Sequence, residues 1–303
     1  MSKHLSPNQR ALRRFLHNKP AVISLIFLCV LMVLVAVWPL VATHRWDQIS
    51  EAQSAPPSAQ HWFGTDIHGR DLFSRVVYGA MISLMVGLVG AGVSLVIGVT
   101  WGAVAGYVGG RWDGLMMRFV DILYSLPSIV FVIVLITTLD QVTKKWLGAT
   151  FGSTAATVTP VFFLFAGLGA VSWLNMARIV RGQVLSLRHR QFVDASRALG
   201  ASHFRLLFRH ILPNVFGIVI VYLTLTIPAI ILYESFLSYL GLGIQPPMAS
   251  WGTLIADGAQ QLNPVRIYWW LIVFPASALV FTLLALNFLG DGLRDAFDPK
   301  SGH

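Results

Sequence analysis

The sequence is poor in charge and has a single cysteine. Charged residues make up only 12% of its 303 positions, while hydrophobic residues make up 55%. Soluble domains carry about 25% charged residues, so this composition excludes a chain whose whole surface faces water. Cys29 is the only cysteine, which excludes an intrachain disulfide. It lies in an apolar run, where a packed or lipid-facing thiol is typical.

Long segments contain no Asp, Glu, Lys or Arg. The first extends from residue 20 to 44, and about 20 apolar residues in a helix cross the hydrocarbon core of a membrane. Because the apolar core of a cleaved signal peptide has only about 7–15 residues, we expect 21–42 to be a retained first transmembrane helix. The sequence thus predicts an all-α integral membrane protein with about six transmembrane helices. Five further uncharged windows each fit one helix: 76–110, 122–139, 146–177, 211–233 and 267–290.

One more uncharged window, 235–256, does not fit a simple span. It contains Gly241, Gly243, Pro246 and Pro247, and a broken backbone is tolerated at membrane depth only where protein or water satisfies its polar groups. We therefore expect this window at the outer surface, and whether part of it enters the membrane is left open.

The distribution of basic residues predicts the orientation. Five basic residues and no acid precede the first span, and a cytoplasmic location for this tail agrees with the positive-inside rule. Only six of the 22 basic residues then lie outside: Arg45, Arg70, Arg75, Lys144, Lys145 and Arg266. We expect a multi-pass protein of the cell inner membrane with both termini in the cytoplasm. Because the positive charge follows topology, membrane lipid is an expected partner and nucleic acid is not.

These windows divide the chain into five regions. The predicted order is a basic cytoplasmic tail (1–20), the first transmembrane helix (21–42), a periplasmic segment (43–79), a core of five transmembrane helices (80–291) and a cytoplasmic C-terminal tail (292–303).

Small residues recur at every fourth position of the second span. On a helix they form one stripe, which lets a neighbouring backbone approach closely, as in helix association within lipid. The sequence predicts a packing seam here, although glycine is also common in membrane helices generally. The stripe consists of Gly90, Ser94, Gly98, Gly102, Gly106 and Gly110.

The core also contains a basic loop, 182–213, expected in the cytoplasm. From Arg178 to Asn214 the sequence has seven arginines and three histidines but only one acid, Asp194. Phe192, Ala195 and Leu199 recur at helical spacing, and Gly200 is placed to cap the helix C-terminus. A basic helix lying on anionic lipid is one interpretation of such a loop.

A second short helix follows in the same loop. Ser202 is placed to cap its N-terminus, and Pro213 is expected to end it. Its apolar residues, at helical spacing, are Phe204, Leu207, Phe208 and Ile211. Two short amphipathic helices around a glycine suggest a docking element, the alternative to the lipid-bound helix.

Residues of this loop resemble a known motif. Asp194-Ala195-Ser196, then Gly200, then Ile211-Leu212-Pro213 is similar to the "EAA" loop of binding-protein-dependent ABC importer permeases. Asp replaces Glu and Ser replaces the second Ala, which preserves charge and small size. The resemblance implies that this loop is the coupling helix that contacts the ATP-hydrolysing subunit.

Two further stretches narrow the resemblance to oligopeptide and dipeptide permeases, and most closely to their C-type subunit. The first is His61-Trp62-Phe63-Gly64-Thr65-Asp66 with Gly69-Arg70-Asp71 and Ser74-Arg75, and the second is Glu234 to Gly243 with Gly290 to Asp295. The resemblance implies a type I ABC importer permease fold and half of a translocation pathway. It also implies a second permease subunit, two cytoplasmic ATP-binding subunits, an external peptide-binding protein and a peptide substrate. Nickel and glutathione importers share these motifs and remain alternatives.

The sequence also lacks the residues of several other functions. Only Lys300 precedes a Ser or Thr, without a glycine-rich turn, so ATP hydrolysis through a P-loop is expected in partner subunits and not here. No cofactor is expected. His44, His61 and His68 are interpreted as solvated loop histidines and not as a metal site.

Two acids near the ends of spans, Asp121 and Glu234, are candidates for the pathway. A secondary transporter would need coupling-ion sites near the midplane, and mid-span acids for such a site are not evident. A membrane-embedded enzyme would need a paired nucleophile and base, and no such pair is found in the sequence.

Overall fold

The computed structural model describes residues 7–262 and 266–297, and the side chains of residues 7, 8, 10, 136 and 139–166 lie outside that description. The described residues form helices joined by loops, with one isolated bridge between Thr65 and Asp71. This confirms the predicted all-α class. The helices are α1 (Pro7–His17), α2 (Lys19–Val41), α3 (Leu72–Val108), α4 (Gly110–Ser125), α5 (Ser128–Leu187), α6 (Gln191–Ala198), α7 (His203–Arg205), a π-helical turn (Leu206–Ile211), α8 (Leu212–Tyr239), α9 (Trp251–Gln260) and α10 (Trp270–Phe297).

Four helical segments among the described residues are long and apolar enough to cross a membrane: Lys19–Val41, Leu72–Val108, His203–Tyr239 and Trp270–Phe297. A fifth span is formed if the pair Gly110–Ser125 and Ser128–Leu135, which is bent by 91°, crosses as one broken helix. Pro127 at the bend explains it, because a proline disfavours helical geometry in the residue before it.

The helix α5 differs from the expectation. Its 60 residues, about 90 Å at 1.5 Å per residue, include most of the two windows predicted as separate spans, 122–139 and 146–177. The polar break expected between them, with Asp140, Lys144 and Lys145, lies inside the helix. Residues 140–147 contain neither glycine nor proline, so nothing in this stretch interrupts helical geometry.

The two predicted tails are also partly helical. Residues 7–17 of the expected basic tail form α1, and the expected C-terminal tail begins inside α10, which continues to Phe297. Residues 1–6 and 298–303 of these tails lie outside the described residues. The helix α3 begins at Leu72, where the preceding Asp71 caps it by accepting a hydrogen bond from the Ser74 backbone N–H at 2.9 Å.

The chain divides into two compact units, one of residues 1–87 and 231–296 and the other of residues 88–230 and 297–303. In the first unit, the fully buried Trp251 of α9 donates from its indole N–H to the Val76 carbonyl at 3.0 Å. In the second unit, the core lies between the C-terminal parts of α3 and α5 and the segment around residue 206. Its buried residues are Ala103, Met176, Val180, Val184, Val193, Leu206, Leu207, Ile211, Val215 and Val219.

Candidate functional site

The turn at Gly200 ends α6 with a complete hydrogen-bonded cap. The Gly200 N–H donates to the Arg197 carbonyl at 3.0 Å and the Ala201 N–H donates to the Ser196 carbonyl at 3.1 Å. Gly200 adopts φ +81°, a left-handed conformation that glycine takes without a Cβ penalty. The sequence prediction of a glycine cap is confirmed.

The second short helix of this segment has an unusual turn. The Ser202 hydroxyl accepts from the Arg205 N–H at 3.4 Å, as the capping prediction requires. The next six residues, Leu206–Ile211, are π-helical, a form with hydrogen bonds to the fifth residue back that occurs mostly as single turns within α-helices. The segment then continues without a break into α8.

This π turn divides the predicted apolar face in two. Leu206, Leu207 and Ile211 are buried in the core of the second unit, whereas Phe204 is 71% exposed and Phe208 51% exposed. The prediction that Phe204, Leu207, Phe208 and Ile211 share one face is therefore wrong. It assumed 3.6 residues per turn, and the wider π turn changes which residues lie on the same side.

Phe204 and Phe208 form an exposed aromatic pair, with ring centroids 4.3 Å apart. Leu199, on the other side of Gly200, is 89% exposed. We call these three side chains the exposed patch. Isolated exposed apolar residues are normal, but an exposed pair of adjoining aromatic rings such as Phe204 and Phe208 is typical of a contact with another molecule.

Pro213 does not end the helix, contrary to the prediction. Leu212 and Pro213 open α8, which continues to Tyr239. A proline ring clashes with the carbonyl four residues earlier in a regular α-helix, and the preceding π turn shifts the backbone register by one residue. The short helix and the following span are therefore mechanically continuous.

The motif residues of α6 lie mostly at its surface. Asp194 accepts from Arg197 at 3.3 Å, and both side chains are more than half exposed. The Ser196 hydroxyl donates to the Phe192 carbonyl at 2.8 Å, within the helix. Val193 is the only buried residue of α6. Ala195 is exposed, as is Pro213, so most of this helix is available for contact.

Polar contacts attach this segment to the rest of the second unit. The Arg188 guanidinium donates to the Gly106 carbonyl at 3.1 Å, and the Tyr107 hydroxyl lies 2.8 Å from His203 Nδ1. Because Gly106 and Tyr107 both belong to the end of α3, that helix holds α5 and α7 together at this position.

Two ion pairs join α4 to α5, and the sequence predicted neither pairing, although it indicated Asp121 as a pathway candidate. Arg181 donates from Nε and Nη2 to the two oxygens of Asp113 at 2.5 and 2.7 Å. Arg178 donates to Asp121 at 2.7 Å, with Asp121 62% exposed. The signal for Asp113 was available, since it is one of only two acids between residues 72 and 139. Asp121 is a surface ion-pair partner in this structure, and its pathway role stays a prediction.

The glycine stripe packs against α5 within the second unit. A Cβ added at Gly98 would lie 2.6 Å from the Met176 Cβ, and one added at Gly106 would lie 2.8 Å from the Arg181 carbonyl oxygen. A Cβ at Gly102 would overlap the Ala177 carbonyl oxygen. A Cβ at 3.0–3.4 Å from a neighbouring atom is already tightly packed, and the distances at these three positions are shorter. The backbones of α3 and α5 therefore approach as closely as glycine permits.

The two ends of the stripe show where this packing begins and stops. A Cβ added at Gly169 would lie 2.7 Å from the Gly90 carbonyl oxygen, and Ser94 is fully buried. Gly110 lies outside the seam, because α3 ends at Val108 and Gly110 is exposed with open space beside it. Five of the six predicted residues therefore occupy the interface.

A second group of motif residues forms a buried charge cluster in the first unit. Arg75 and Arg70 both donate to Asp66 Oδ2, Arg70 at 2.7 Å. Asp66 Oδ1 accepts from the His68 and Arg70 backbone N–H groups at 2.8 and 2.9 Å. Burial would raise the pKa of Asp66, but the charges of Arg75 and Arg70 and these hydrogen bonds outweigh it, so the pKa lies below its ordinary value.

Two glycines allow the 43–71 segment to fold tightly around this cluster. Gly64 and Gly69 have φ of +77° and +74°, and a Cβ at either would overlap a carbonyl oxygen, of Ala55 or Ser50. His61 lies 2.9 Å from Asp71 and its side chain is only 12% exposed. The expectation that His61 is a solvated loop residue is therefore wrong, because it is bound inside this fold.

Glu234 is completely buried in the first unit. Its Oε1 accepts from the Ser238 and Ser250 hydroxyls at 2.6 and 2.7 Å, while Oε2 has no protein partner. Ser250 caps α9 by accepting from the Thr253 N–H at 3.2 Å, so Glu234 connects the end of α8 to the start of α9. Glu234 has no exposed surface, and its pathway role stays a prediction.

Comparisons with known proteins agree with the motifs. The family described as binding-protein-dependent transport system inner membrane component matches residues 98–303. The family described as N-terminal TM domain of oligopeptide transport permease C matches residues 6–57.

Relatives match over nearly their whole length. The oligopeptide transport system permease protein OppC of Escherichia coli (strain K12) is 48% identical over 295 residues, which cover 96% of this chain and 91% of that protein. The dipeptide transport system permease protein DppC of Bacillus subtilis (strain 168) is 44% identical over 297 residues, which cover 98% of this chain and 87% of that protein.

A solved structure supports the fold alone. The inward-facing MetNI methionine ABC transporter matches with a TM-score of 0.54 and 21% sequence identity, covering 74% of this chain and 97% of that chain. The predicted type I ABC importer permease fold is confirmed. This chain belongs to the family of binding-protein-dependent transport system inner membrane components, and within it to the C-type permeases of the oligopeptide and dipeptide import systems.

Proposed function

We propose that this chain is one of two membrane-spanning subunits of an ATP-driven peptide importer. It forms half of the translocation pathway and transmits force from two cytoplasmic ATP-binding subunits. An external peptide-binding protein delivers the substrate. The observation that carries this proposal is the exposed patch of Leu199, Phe204 and Phe208 on a segment whose opposite side is buried in the protein.

The exposed patch suits docking onto a soluble partner subunit. Burial of a large apolar side chain is worth about 1.5–3 kcal/mol, so the two phenylalanines together supply several kcal/mol of binding free energy if their contributions add. The helix α6 belongs to the same segment, with Asp194 and Ala195 exposed and Ser196 partly exposed.

The attachment of this segment explains how movement would pass into the membrane. The π turn at Leu206–Ile211 leads directly into α8, without a flexible loop. Arg188 and His203 bind the end of α3 on the other side. A displacement of the exposed patch by the ATP-binding subunit would therefore move two membrane helices together.

Peptides are the proposed substrate because the relatives named for oligopeptide and dipeptide transport match nearly the whole chain. Nickel and glutathione are the alternatives left by the shared motifs. Uptake into proteoliposomes containing the assembled complex and its external binding protein distinguishes them. We expect ATP-dependent uptake of a labelled oligopeptide that unlabelled oligopeptide suppresses. Uptake of nickel or glutathione without peptide uptake would refute the peptide assignment while leaving the importer assignment intact.

The orientation is proposed from the positive-inside distribution, with both termini in the cytoplasm. Single cysteines in a Cys29→Ala background test it. Ser58→Cys and Gln245→Cys, both at exposed positions, should react with an impermeant maleimide in intact cells. Ser186→Cys, exposed at the other side of the proposed membrane, should react only after permeabilisation. Labelling of Ser186→Cys in intact cells would reverse the orientation.

A further inference from the structure

The N-terminal helix α1 has the charge distribution of a helix that binds anionic lipid. Its sequence, Pro7–His17, contains three arginines and a histidine. No acid occurs anywhere before Asp47. A purely electrostatic role would need only a basic tail, but the structure gives this segment a defined helical shape and a fixed position.

One side of α1 is packed into the first unit. Phe15 is 8% exposed and lies in a cluster with Ala21 of α2 and Ala296 of α10. A Cβ added at Gly292 would overlap the Ala21 side chain, so α10 and α2 pack closely in this cluster. The helix α1 is therefore held against the start of one membrane helix and the end of another.

The adjoining side of α1 carries two exposed leucines. Leu12 and Leu16 are each 59% exposed and are four residues apart, so they lie one above the other on the same face. Arg13 and His17, also exposed, lie beside them toward the polar side. Around the helix, Phe15 contacts protein, Leu12 and Leu16 form an apolar strip, and Arg13 and His17 form a basic strip. An amphipathic helix that lies in a membrane interface has this arrangement.

The connection to α2 places this face at the membrane boundary. Only Asn18 separates α1 from α2, and its side chain caps α2 by accepting from the Ala21 N–H at 3.2 Å. One residue spans at most about 3.6 Å, so α1 ends beside the first turn of the span Lys19–Val41. Leu12 and Leu16 are thus close enough to contact acyl chains, and the basic residues of α1 are close enough to contact lipid headgroups.

We propose that α1 is an anionic phospholipid-binding element. Leu12 and Leu16 enter the boundary between headgroups and acyl chains, and Arg13 binds the negatively charged headgroups beside them. Since α1 also contacts the end of α10, bound anionic lipid stabilises the packing of α1 with α2 and α10. This inference does not depend on the substrate or on the ATP-binding subunits.

Spin labels on single cysteines test the depth of the leucines. Leu12→Cys, Leu16→Cys and His17→Cys are prepared in a Cys29→Ala background, labelled with a nitroxide and reconstituted with anionic lipid. We expect labels at 12 and 16 to collide preferentially with oxygen and the label at 17 with a water-soluble nickel chelate. Equal access of the nickel chelate to positions 12 and 17 would overturn the proposal.

A lipid titration tests the headgroup contact. The purified protein in its native complex is placed in phosphatidylcholine nanodiscs with increasing fractions of phosphatidylglycerol, and its thermal midpoint is measured. We expect the midpoint to rise with phosphatidylglycerol. In Arg13→Gln the apparent affinity for this lipid should fall about fivefold, the effect of one basic residue at an anionic surface.

The control is Arg45→Gln, an exposed arginine beyond the other end of α2, which should leave the titration unchanged. Phe15→Ala should lower the midpoint at every lipid composition, because it removes a packed side chain. A wild-type midpoint that is independent of phosphatidylglycerol would overturn the proposal, as would equal effects of Arg13→Gln and Arg45→Gln.

Discussion

Leu207 and Phe208 are consecutive in the chain but face opposite environments. Leu207 is 8% exposed and contributes to the core of the second unit, whereas Phe208 is 51% exposed and contacts the ring of Phe204. One turn of helix therefore has a side that holds the segment in place and a side that is free for a partner. The two sides can be altered independently, which separates the stability of the protein from its proposed coupling role.

The close contact between α3 and α5 predicts a strict requirement for glycine at position 102. Gly102→Ala places a methyl group against the Ala177 carbonyl oxygen and 3.0 Å from the Arg181 nitrogen. Overpacking of this kind costs about 1–3 kcal/mol. We expect a lower thermal midpoint and a lower yield of folded protein in detergent.

Gly92 is the matched control for this substitution. It lies in the same helix, but a Cβ there would have no neighbour within 4 Å. Gly92→Ala should be neutral or slightly stabilising, because alanine is the better helix former by about 0.5–1 kcal/mol. Equal losses in the two variants would remove the packing argument.

The buried ion pair of Asp66 and Arg75 predicts a pH-dependent loss of stability. Their side chains are 9% and 4% exposed, and removal of one partner of a buried pair costs about 3–5 kcal/mol. Asp66→Asn should therefore unfold at a lower temperature at neutral pH. Asp47→Asn, which breaks the exposed pair with Arg45, should cost at most about 1 kcal/mol.

The sign of the pH dependence follows from the lowered pKa of Asp66. Its stabilising contribution is complete above the ordinary pKa of 3.8 and is lost as the pH falls through the lower value of the folded protein. The difference in thermal midpoint between wild type and Asp66→Asn should be constant near neutrality and shrink below about pH 4. A difference that grows on acidification would contradict this assignment.

Two substitutions at Glu234 distinguish a structural role of this residue from a role in the translocation pathway. Glu234→Gln keeps an acceptor for the Ser238 and Ser250 hydroxyls, whereas Glu234→Ala leaves both unpaired and opens a cavity. We expect Glu234→Ala to lose about 3 kcal/mol of stability, from a cavity and unpaired buried hydroxyls, and Glu234→Gln to lose less than half of that. If Glu234→Gln folds normally but no longer transports, its charge serves the pathway and the structural interpretation is wrong.

The parts of this protein that depend on local geometry could be predicted from the sequence. Gly200 needs φ > 0 to end α6 and Ser202 is a common N-cap, so both ends of the turn were predictable. The seam from Gly90 to Gly106 follows from four-residue spacing on a helix. Four of the six uncharged windows coincide with helices long and apolar enough to cross a membrane, because the thickness of the membrane sets the length of an apolar span.

The parts that depend on tertiary packing could not be predicted in this way. The π turn at Leu206–Ile211 breaks the 3.6-residue period, so the apolar face was assigned incorrectly. The sequence around Lys144 and Lys145 contains no helix-breaking residue, but its charges suggested a loop between two spans. The pattern of charges therefore did not show that one helix continues through this position. The pairing of Asp113 with Arg181, 68 residues later, likewise leaves no periodic signal.

We propose that the segment around Gly200 couples ATP hydrolysis to transport through Phe204 and Phe208. The most direct test is Phe204→Ala with Phe208→Ala in the assembled complex, reconstituted into proteoliposomes. Substrate-stimulated ATP hydrolysis and peptide uptake are measured in the same preparation. The double variant removes exposed side chains only, so membrane insertion and thermal midpoint should be unchanged.

We expect stimulated hydrolysis and uptake to fall together, by at least tenfold, since each lost phenylalanine contact weakens docking by more than 1.4 kcal/mol. Leu207→Ala, in contrast, should lower the thermal midpoint, because it removes a core side chain. Charge reversal at Arg205 and Arg209 should have a smaller effect on coupling than the double alanine variant; a larger effect would favour a lipid-bound helix. Normal stimulated hydrolysis and normal uptake in the double variant would contradict the assignment of this segment as the coupling element.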